Sequence, residues 1–163
     1  SLYASYCTTC HGSDARGARG FPNLTDDDWQ WGNTEQDLMT TILNGRNAAM
    51  PVLAPALGGD QGVDNMVKYV RSLSGGEMDE GAQAAQPLFA AMCSACHGID
   101  GKGNKLFGAP NLTDDTWLYG GSAETVRETI VNGRNGMMPA HGEMLGPNRT
   151  KILAAYVYSL SQD

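Results

Sequence analysis

The chain has 163 residues, 41% of them hydrophobic and only 7% aromatic, with 21 glycines and 7 prolines. That length holds one ordinary domain or two very small ones, with thin cores and many tight turns. A formal charge of −7 argues against nucleic-acid binding, and no apolar run approaches the roughly 18 residues that cross a bilayer, so the chain reads as soluble. The first residues, Ser1 to Cys7, have neither a basic nor an apolar leader region, so any export signal or anchor is expected to have been removed.

In chain order, Leu2 to Tyr6 reads as the end of a short helix running into Cys7-Thr8-Thr9-Cys10-His11. Thr34-Glu35-Gln36-Asp37 is a capping-box pattern, and it opens a helix with apolar pairs at Leu38/Ile42 and Met39/Leu43. Asp60 opens a closing helix that runs through Tyr69 and Leu73. The polar stretch 76–81 follows as a linker. Pro87 suits the first position of a second short helix ending at Cys93-Ser94-Ala95-Cys96-His97. Ser122 starts the next helix, with Val126 and Ile130 on one face and Gly133 as its stop, and Pro147 opens the last. No segment alternates long enough to predict a sheet, so the expected class is all-α.

A repeat organises these elements. The box Pro22-Asn23-Leu24-Thr25-Asp26-Asp27 recurs as Pro110-Asn111-Leu112-Thr113-Asp114-Asp115. Trp29 recurs as Trp117, and Asn44-Gly45-Arg46-Asn47 recurs as Asn132-Gly133-Arg134-Asn135. Met50-Pro51 and Met138-Pro139 follow at the same spacing of 88, whereas the cysteine motifs lie 86 apart, so the second copy has two extra residues between His97 and Pro110. Two sequential domains are expected, 1–75 and 82–163, joined at 76–81. Domains this small need a cofactor, metal or staple as part of the core.

Cys-x-x-Cys-His is the attachment signature of c-type haem, in which Cys7, Cys10, Cys93 and Cys96 form thioethers and His11 and His97 ligate iron. A structural zinc site or a redox disulfide is the alternative reading of each pair. Zinc would have to gather residues 86 apart, although each pair sits in its own repeat. Met50 and Met138, 39 and 41 residues after His11 and His97, are the distal candidates, with His141 as a rival to Met138. Met39, Met66, Met78, Met92 and Met144 read as core filler. Pro22 and Pro110 read either as ordinary loop prolines or as carbonyls that would fix the proximal imidazoles through Nδ1–H. Trp29, Trp117, Arg46 and Arg134 either hold haem propionates or serve only as core and surface. The Asp26-Asp27-Asp28 and Asp114-Asp115 runs read as solvated helix-start charges.

The combination of Cys-x-x-Cys-His, Pro-Asn-Leu-Thr-Asp-Asp-x-Trp, Gly-Arg and Met-Pro, used twice and ending in Ala154-Ala155-Tyr156-Val157-Tyr158-Ser159-Leu160-Ser161, resembles the dihaem cytochrome c subunit of cbb-type (C-family) haem-copper oxidases. The resemblance implies two tandem class I cytochrome c domains in the bacterial periplasm. Each would hold one covalent haem c on a His/Met iron and pass electrons from a donor c-type cytochrome towards the oxidase subunits that reduce oxygen. Members of that family carry N-terminal membrane helices and this chain shows none. It is therefore either a piece of a longer anchored subunit, itself without membrane contact, or a free dihaem carrier.

An electron-transfer module, not itself an enzyme, is the leading reading because two protein ligands saturate each iron. A dihaem peroxidase needs an open or displaceable distal position, and only His141 near Met138 points that way. Both halves are mildly acidic, with 5 Lys+Arg against 9 Asp+Glu in residues 1–78 and 6 against 9 in 79–163, so a basic partner is expected to be steered by charge.

Overall fold

The computed structural model describes residues 1–162; Asp163, the last residue of the expected second domain, lies outside the described residues. The elements are α1 (Leu2–Tyr6), α2 (Thr8–His11), α3 (Glu35–Asn44), β1 (Arg46–Met50), a 3-10 turn at Ala54–Leu57 and α4 (Asp60–Leu73). They continue with α5 (Glu80–Met92), α6 (Ser94–His97), α7 (Ala123–Asn132), β2 (Arg134–Met138) and α8 (Gly142–Leu160). The protein is mostly helical, with one small sheet of β1 beside β2 that the sequence reading did not expect. Each strand has only five residues, too short to stand out as a pattern of alternation.

Helix boundaries follow local chemistry. Thr34 and Asp37 close a complete capping box on α3, and Ser122 accepts from the Thr125 N–H to start α7. Within α8, Gly146 takes φ 65° and ψ 172°, which breaks the helix so that its main run begins at Pro147. α5 differs from expectation. It starts at Glu80 rather than Pro87, because Asp79 Oδ1 accepts from the Ala82 N–H at 2.9 Å and caps it there. Pro87 lies in the helix interior on an exposed face, so its missing N–H deprives only the exposed Gln83 carbonyl of a partner.

The chain forms two compact units: unit 1, Ser1–Asn47 with Gly136–Asp163, and unit 2, Ala48–Asn135. This division differs from the sequential domains expected at 1–75 and 82–163. Each unit combines the cysteine motif and following helix of one copy with the Met-Pro segment and closing helix of the other. In unit 2, α4 packs against α5 and α7; in unit 1, α8 packs against α3 and α1. The reason lies in the stretch read as a linker. Only six residues separate α4 from α5, and Gly76 N–H returns to the Arg71 carbonyl at 3.0 Å, so the segment is a tight turn between packed neighbours.

The core of unit 2 joins Val63, Met66, Val67, Tyr69 and Val70 of α4 to Ala82, Ala85 and Phe89 of α5, with Leu112, Val126 and Ile130. Tyr69 and Phe89 meet ring to ring at 5.1 Å. The core of unit 1 joins Tyr3, Leu38 and Ile42 to Leu145, Leu153, Ala154 and Val157, and Tyr3 meets Tyr156 at 5.5 Å. Met66 is core, and Met39 and Met92 pack against the cores. Met78 and Met144 are 44% and 56% exposed, so they do not fill it.

Candidate haem sites

The two sites are built alike. In unit 1 the N–H groups of Cys10 and His11 return to the Cys7 carbonyl at 3.2 and 2.9 Å, forming one helical turn. In unit 2 Cys96 and His97 do the same to Cys93. Positions i, i+3 and i+4 of such a turn share a face, so both sulfurs and the imidazole of each motif point the same way. The four cysteines are unpaired; Cys93 is buried and Cys96 exposed. Burial pushes the Cys7 and Cys93 thiols up, which keeps them neutral before attachment.

His11 Nδ1 lies 2.9 Å from the Pro22 carbonyl, and His97 Nδ1 lies 3.1 Å from that of Pro110. A carbonyl can only accept, so each Nδ1 carries the proton and each Nε2 is left as a free donor of its lone pair. Burial pushes His97 down, against the opposing pull of the Pro110 carbonyl, and holds it in the neutral form that binds metal. In unit 1 the Tyr3 hydroxyl braces the motif by donating to the Gly12 carbonyl at 2.9 Å. Burial pushes that phenol up to about 12, so it remains a donor throughout the neutral range.

The Met-Pro segments lie in the exchanged units. Met138, like Cys7, Trp29 and Met39, packs against the unit 1 core, and Met50, like Met92 and Trp117, packs against the unit 2 core, which contains Cys93. Two hydrogen bonds anchor them equivalently. The His141 N–H donates to the Ile42 carbonyl at 2.9 Å, and the Leu53 N–H donates to that of Ile130 at 3.3 Å. Gly45 and Gly133, both at φ 69°, let the backbones close in: a Cβ on Gly45 would strike the Met138 carbonyl, and one on Gly133 would strike that of Met50.

Strand alternation sets which side chains face inward. Arg134, Gly136 and Met138 are half-buried, whereas Asn135 is exposed and Met137 is 71% exposed. Arg46, Ala48 and Met50 show the same pattern. His141 Nδ1 lies 2.9 Å from the Pro139 carbonyl in its own loop.

Arg46 and Arg134 are neither free nor simply superficial. Nε of each donates to a threonine hydroxyl, Thr41 at 2.8 Å and Thr129 at 2.9 Å. Each guanidinium also lies over an aromatic ring, Trp31 at 4.7 Å and Tyr119 at 4.3 Å. Among the described residues two buried side-chain donors are left over: Trp29 Nε1 in unit 1 and Arg134 Nη2 in unit 2 have no hydrogen-bond partner. Buried donors without acceptors are costly, and they fit the carboxylates of a group that the folded chain is built to hold. The donor set of each site, two thiols, a neutral imidazole and a thioether, fits haem c. Thr41, Thr129, Trp31 and Tyr119 escaped the sequence reading although they obey the same spacing of 88.

The aspartate runs start no helix: they lie in bends, where Asp26 Oδ1 accepts from the Asp28 N–H and Asp114 Oδ1 from the Thr116 N–H, beside a pair of asparagine side-chain turns. Asn23 Oδ1 accepts from the Thr25 N–H and hydroxyl, and Asn111 does so for Thr113. Among the described residues, no group of three or more His, Cys, Asp or Glu side chains is placed to hold a metal ion.

Comparison with known proteins gives one answer. The family described as cytochrome C oxidase, cbb3-type, subunit III matches residues 1–70 and 80–157. The chain is 47% identical over 162 residues to the cbb3-type cytochrome c oxidase subunit CcoP of Rubrivivax gelatinosus, covering 99% of this chain and 53% of that protein. It is 42% identical to subunit FixP of Azorhizobium caulinodans, over 97% of this chain and 57% of that protein. Against FixP of Bradyrhizobium sp. it is 44% identical, over 98% and 59%. The chain thus spans little more than half the length of these relatives. No described helix is long and apolar enough to cross a membrane. The two tandem matches, each covering one Cys-x-x-Cys-His turn, place the chain in the cbb3-type cytochrome c oxidase subunit III family, whose cytochrome c character implies covalently bound haem c.

Proposed function

We propose that this chain is a dihaem electron-transfer module that receives electrons from a donor c-type cytochrome and passes them towards the oxygen-reducing subunits of a cbb3-type oxidase, on the periplasmic side of the bacterial inner membrane. The observation that carries this reading is the duplicated site. Each unit presents Cys-x-x-Cys-His, a carbonyl on the imidazole Nδ1 and a methionine on the inward face of a strand. Haem c, when bound, supplies a one-electron iron couple, and methionine as the second ligand favours its reduced state.

The chain's own residues hold and tune that couple. We assign Cys7, Cys10, His11 and Met138 to the haem of unit 1, and Cys93, Cys96, His97 and Met50 to the haem of unit 2. This pairing exchanges the methionines relative to their order in the chain, and it is supported by the packing of Met138 and Cys7 against one core and of Met50 against the core that contains Cys93. Trp29 and Arg134 bring unspent buried donors for the propionates, with Arg46 and Trp117 at the matching positions of the other site. With Met138 and Met50 so assigned, each haem iron would be held by two protein side chains with no position left for substrate, which favours electron transfer over peroxidase chemistry.

An optical redox titration combined with a haem count tests this reading. Two haems per chain, both low-spin with a sulfur-to-iron charge-transfer band and neither binding carbon monoxide when reduced, are expected. A single haem, or ready carbon monoxide binding at one of two, would overturn it.

A further inference from the structure

The two extra residues of the second copy fall at one place. In unit 1 the turn between His11 and Pro22 closes through a bridge between Ala18 and Phe21; in unit 2 the equivalent bridge joins Asn104 to Ala109. The added length is therefore the tip itself, Leu106 and Phe107, which are 85% and 55% exposed, with Ile99 of the same loop at 71%. Exposing three large apolar side chains on one short loop costs solubility and gains nothing for the core, so this surface is built to be covered.

The loop is also pre-formed. Asn104 Oδ1 accepts from the Leu106 N–H at 2.9 Å and its carbonyl accepts from the Phe107 N–H at 3.1 Å. The Gly103 N–H returns to the His97 carbonyl at 2.7 Å. Three residues beyond that bond, the tip stays within roughly 15 Å of the His97 backbone.

Charge identifies what covers it. Unit 2 has six Lys+Arg against ten Asp+Glu, yet its two lysines on this loop, Lys102 and Lys105, are exposed and among the described residues take part in no ion pair. Its other cations are engaged: Lys68 with Asp79, Arg127 with Asp60 and Asp64, Arg134 with Glu128, and Arg71 with the Gly121 carbonyl. Asp100 is the one acidic residue of the loop.

We propose that the loop 98–109 is a docking surface for a redox partner protein whose own contact face is apolar at the centre and rimmed by carboxylates. Leu106 and Phe107 fill the centre, and Lys102 and Lys105 meet the rim. The proposal rests on the electron-transfer reading, because only a partner exchanging electrons gains from being held next to His97. It sets local charge against the overall acidity, which by itself would call for a basic partner.

The test uses the chain with its haems attached, in stopped-flow exchange with two probes, a blue-copper protein bearing an acidic patch and a lysine-rimmed mitochondrial cytochrome c. Exchange with the acidic probe should slow as salt rises, and Lys102→Glu with Lys105→Glu should cut its rate about tenfold while speeding exchange with the basic probe. Leu106→Ser with Phe107→Ser should cut the acidic-probe rate by a similar factor at every salt concentration, with haem content and spectra unchanged, whereas Ile152→Ser, 62% exposed on α8, should not. Acidic-probe rates that neither double variant moves would overturn the assignment. So would loop-dependent binding to phosphatidylglycerol vesicles, or loop-dependent self-association, without an effect on exchange. In those cases reversible cycling by ascorbate and ferricyanide would leave the electron-transfer reading standing, and haems that cannot be cycled would remove both.

Discussion

Unit 2 is one continuous stretch of chain and unit 1 is two stretches joined only through it. Both reach the same arrangement: a cysteine turn, a carbonyl on histidine, a guanidinium over an aromatic ring, and an inward methionine held against a neighbouring helix. In unit 2 the methionine comes before the histidine of the same unit, at 50 and 97. In unit 1 it comes long after, at 138 against 11. Chain order is therefore not what defines the module. Closing unit 1 requires ends far apart in sequence to meet, an entropic cost that grows slowly with length and falls once unit 2 has folded between them.

The largest expected effect of this difference is on dissection. A chain of residues 48–135 contains all of unit 2 and should take up one haem with methionine ligation, whereas 1–75 and 76–163 expressed separately each lack the segment that completes their site. Mass spectrometry and the sulfur-to-iron band read the outcome. Halves that each assemble a stable His/Met haem would break the comparison.

Core substitutions come next. Phe89, 1% exposed against Tyr69, should cost about 3–5 kcal/mol when cut to alanine, read by denaturant unfolding. Its counterpart Tyr3 has a hydroxyl to lose, and Tyr3→Phe should cost only about 1 kcal/mol, the bond to the Gly12 carbonyl. Between these two, Gly133→Ala should destabilise unit 2 by about 1–3 kcal/mol, since it meets both a positive φ and the Met50 carbonyl. Gly45→Ala should weaken unit 1 through Met138 in the same way, and a band lost from the wrong haem would count against the pairing.

The smallest effect separates the units by pH. Lys68, and then the Ala82 N–H, hold the Asp79 carboxyl below its ordinary value. A depressed carboxylate contributes stability above its unfolded value of about 4 and loses it as pH falls through the lower folded one. Melting curves of Asp79→Ala should therefore fall slightly below those of the parent at neutral pH and converge with them in acid, with the change confined to unit 2. A gap that persists unchanged in acid would show that the ion pair and charged cap are not its source.

Much of the site was legible in the sequence because its chemistry is local. Cys-x-x-Cys-His fixes one helical turn. The prolines sit where their carbonyls meet Nδ1, and register sets the half-buried Met138, not the exposed Met137, opposite Met50. The capping box at Thr34 and the stop at Gly133 are equally local. The exchange of halves was not legible, because two copies of one repeat offer the same packing surfaces. Nothing in Val63, Met66 or Val70 says whether α4 closes over the first cysteine motif or the second. What decides it is the length and bonding of the turn between α4 and α5, which reads as a polar linker until Asp79 is seen to cap α5. Pro87 misled for a related reason: it favours a helix start but is tolerated inside a helix on an exposed face.

The exchanged ligand pairing is tested most directly in a chain with a single haem. Replacing Cys7 and Cys10 by alanine leaves only the haem at His97, and Met50→Leu or Met138→Leu is then added. The sulfur-to-iron charge-transfer band should vanish with Met50→Leu and survive Met138→Leu. Loss of the band with Met138→Leu and its survival with Met50→Leu would contradict the pairing and return each methionine to the histidine that precedes it in the chain.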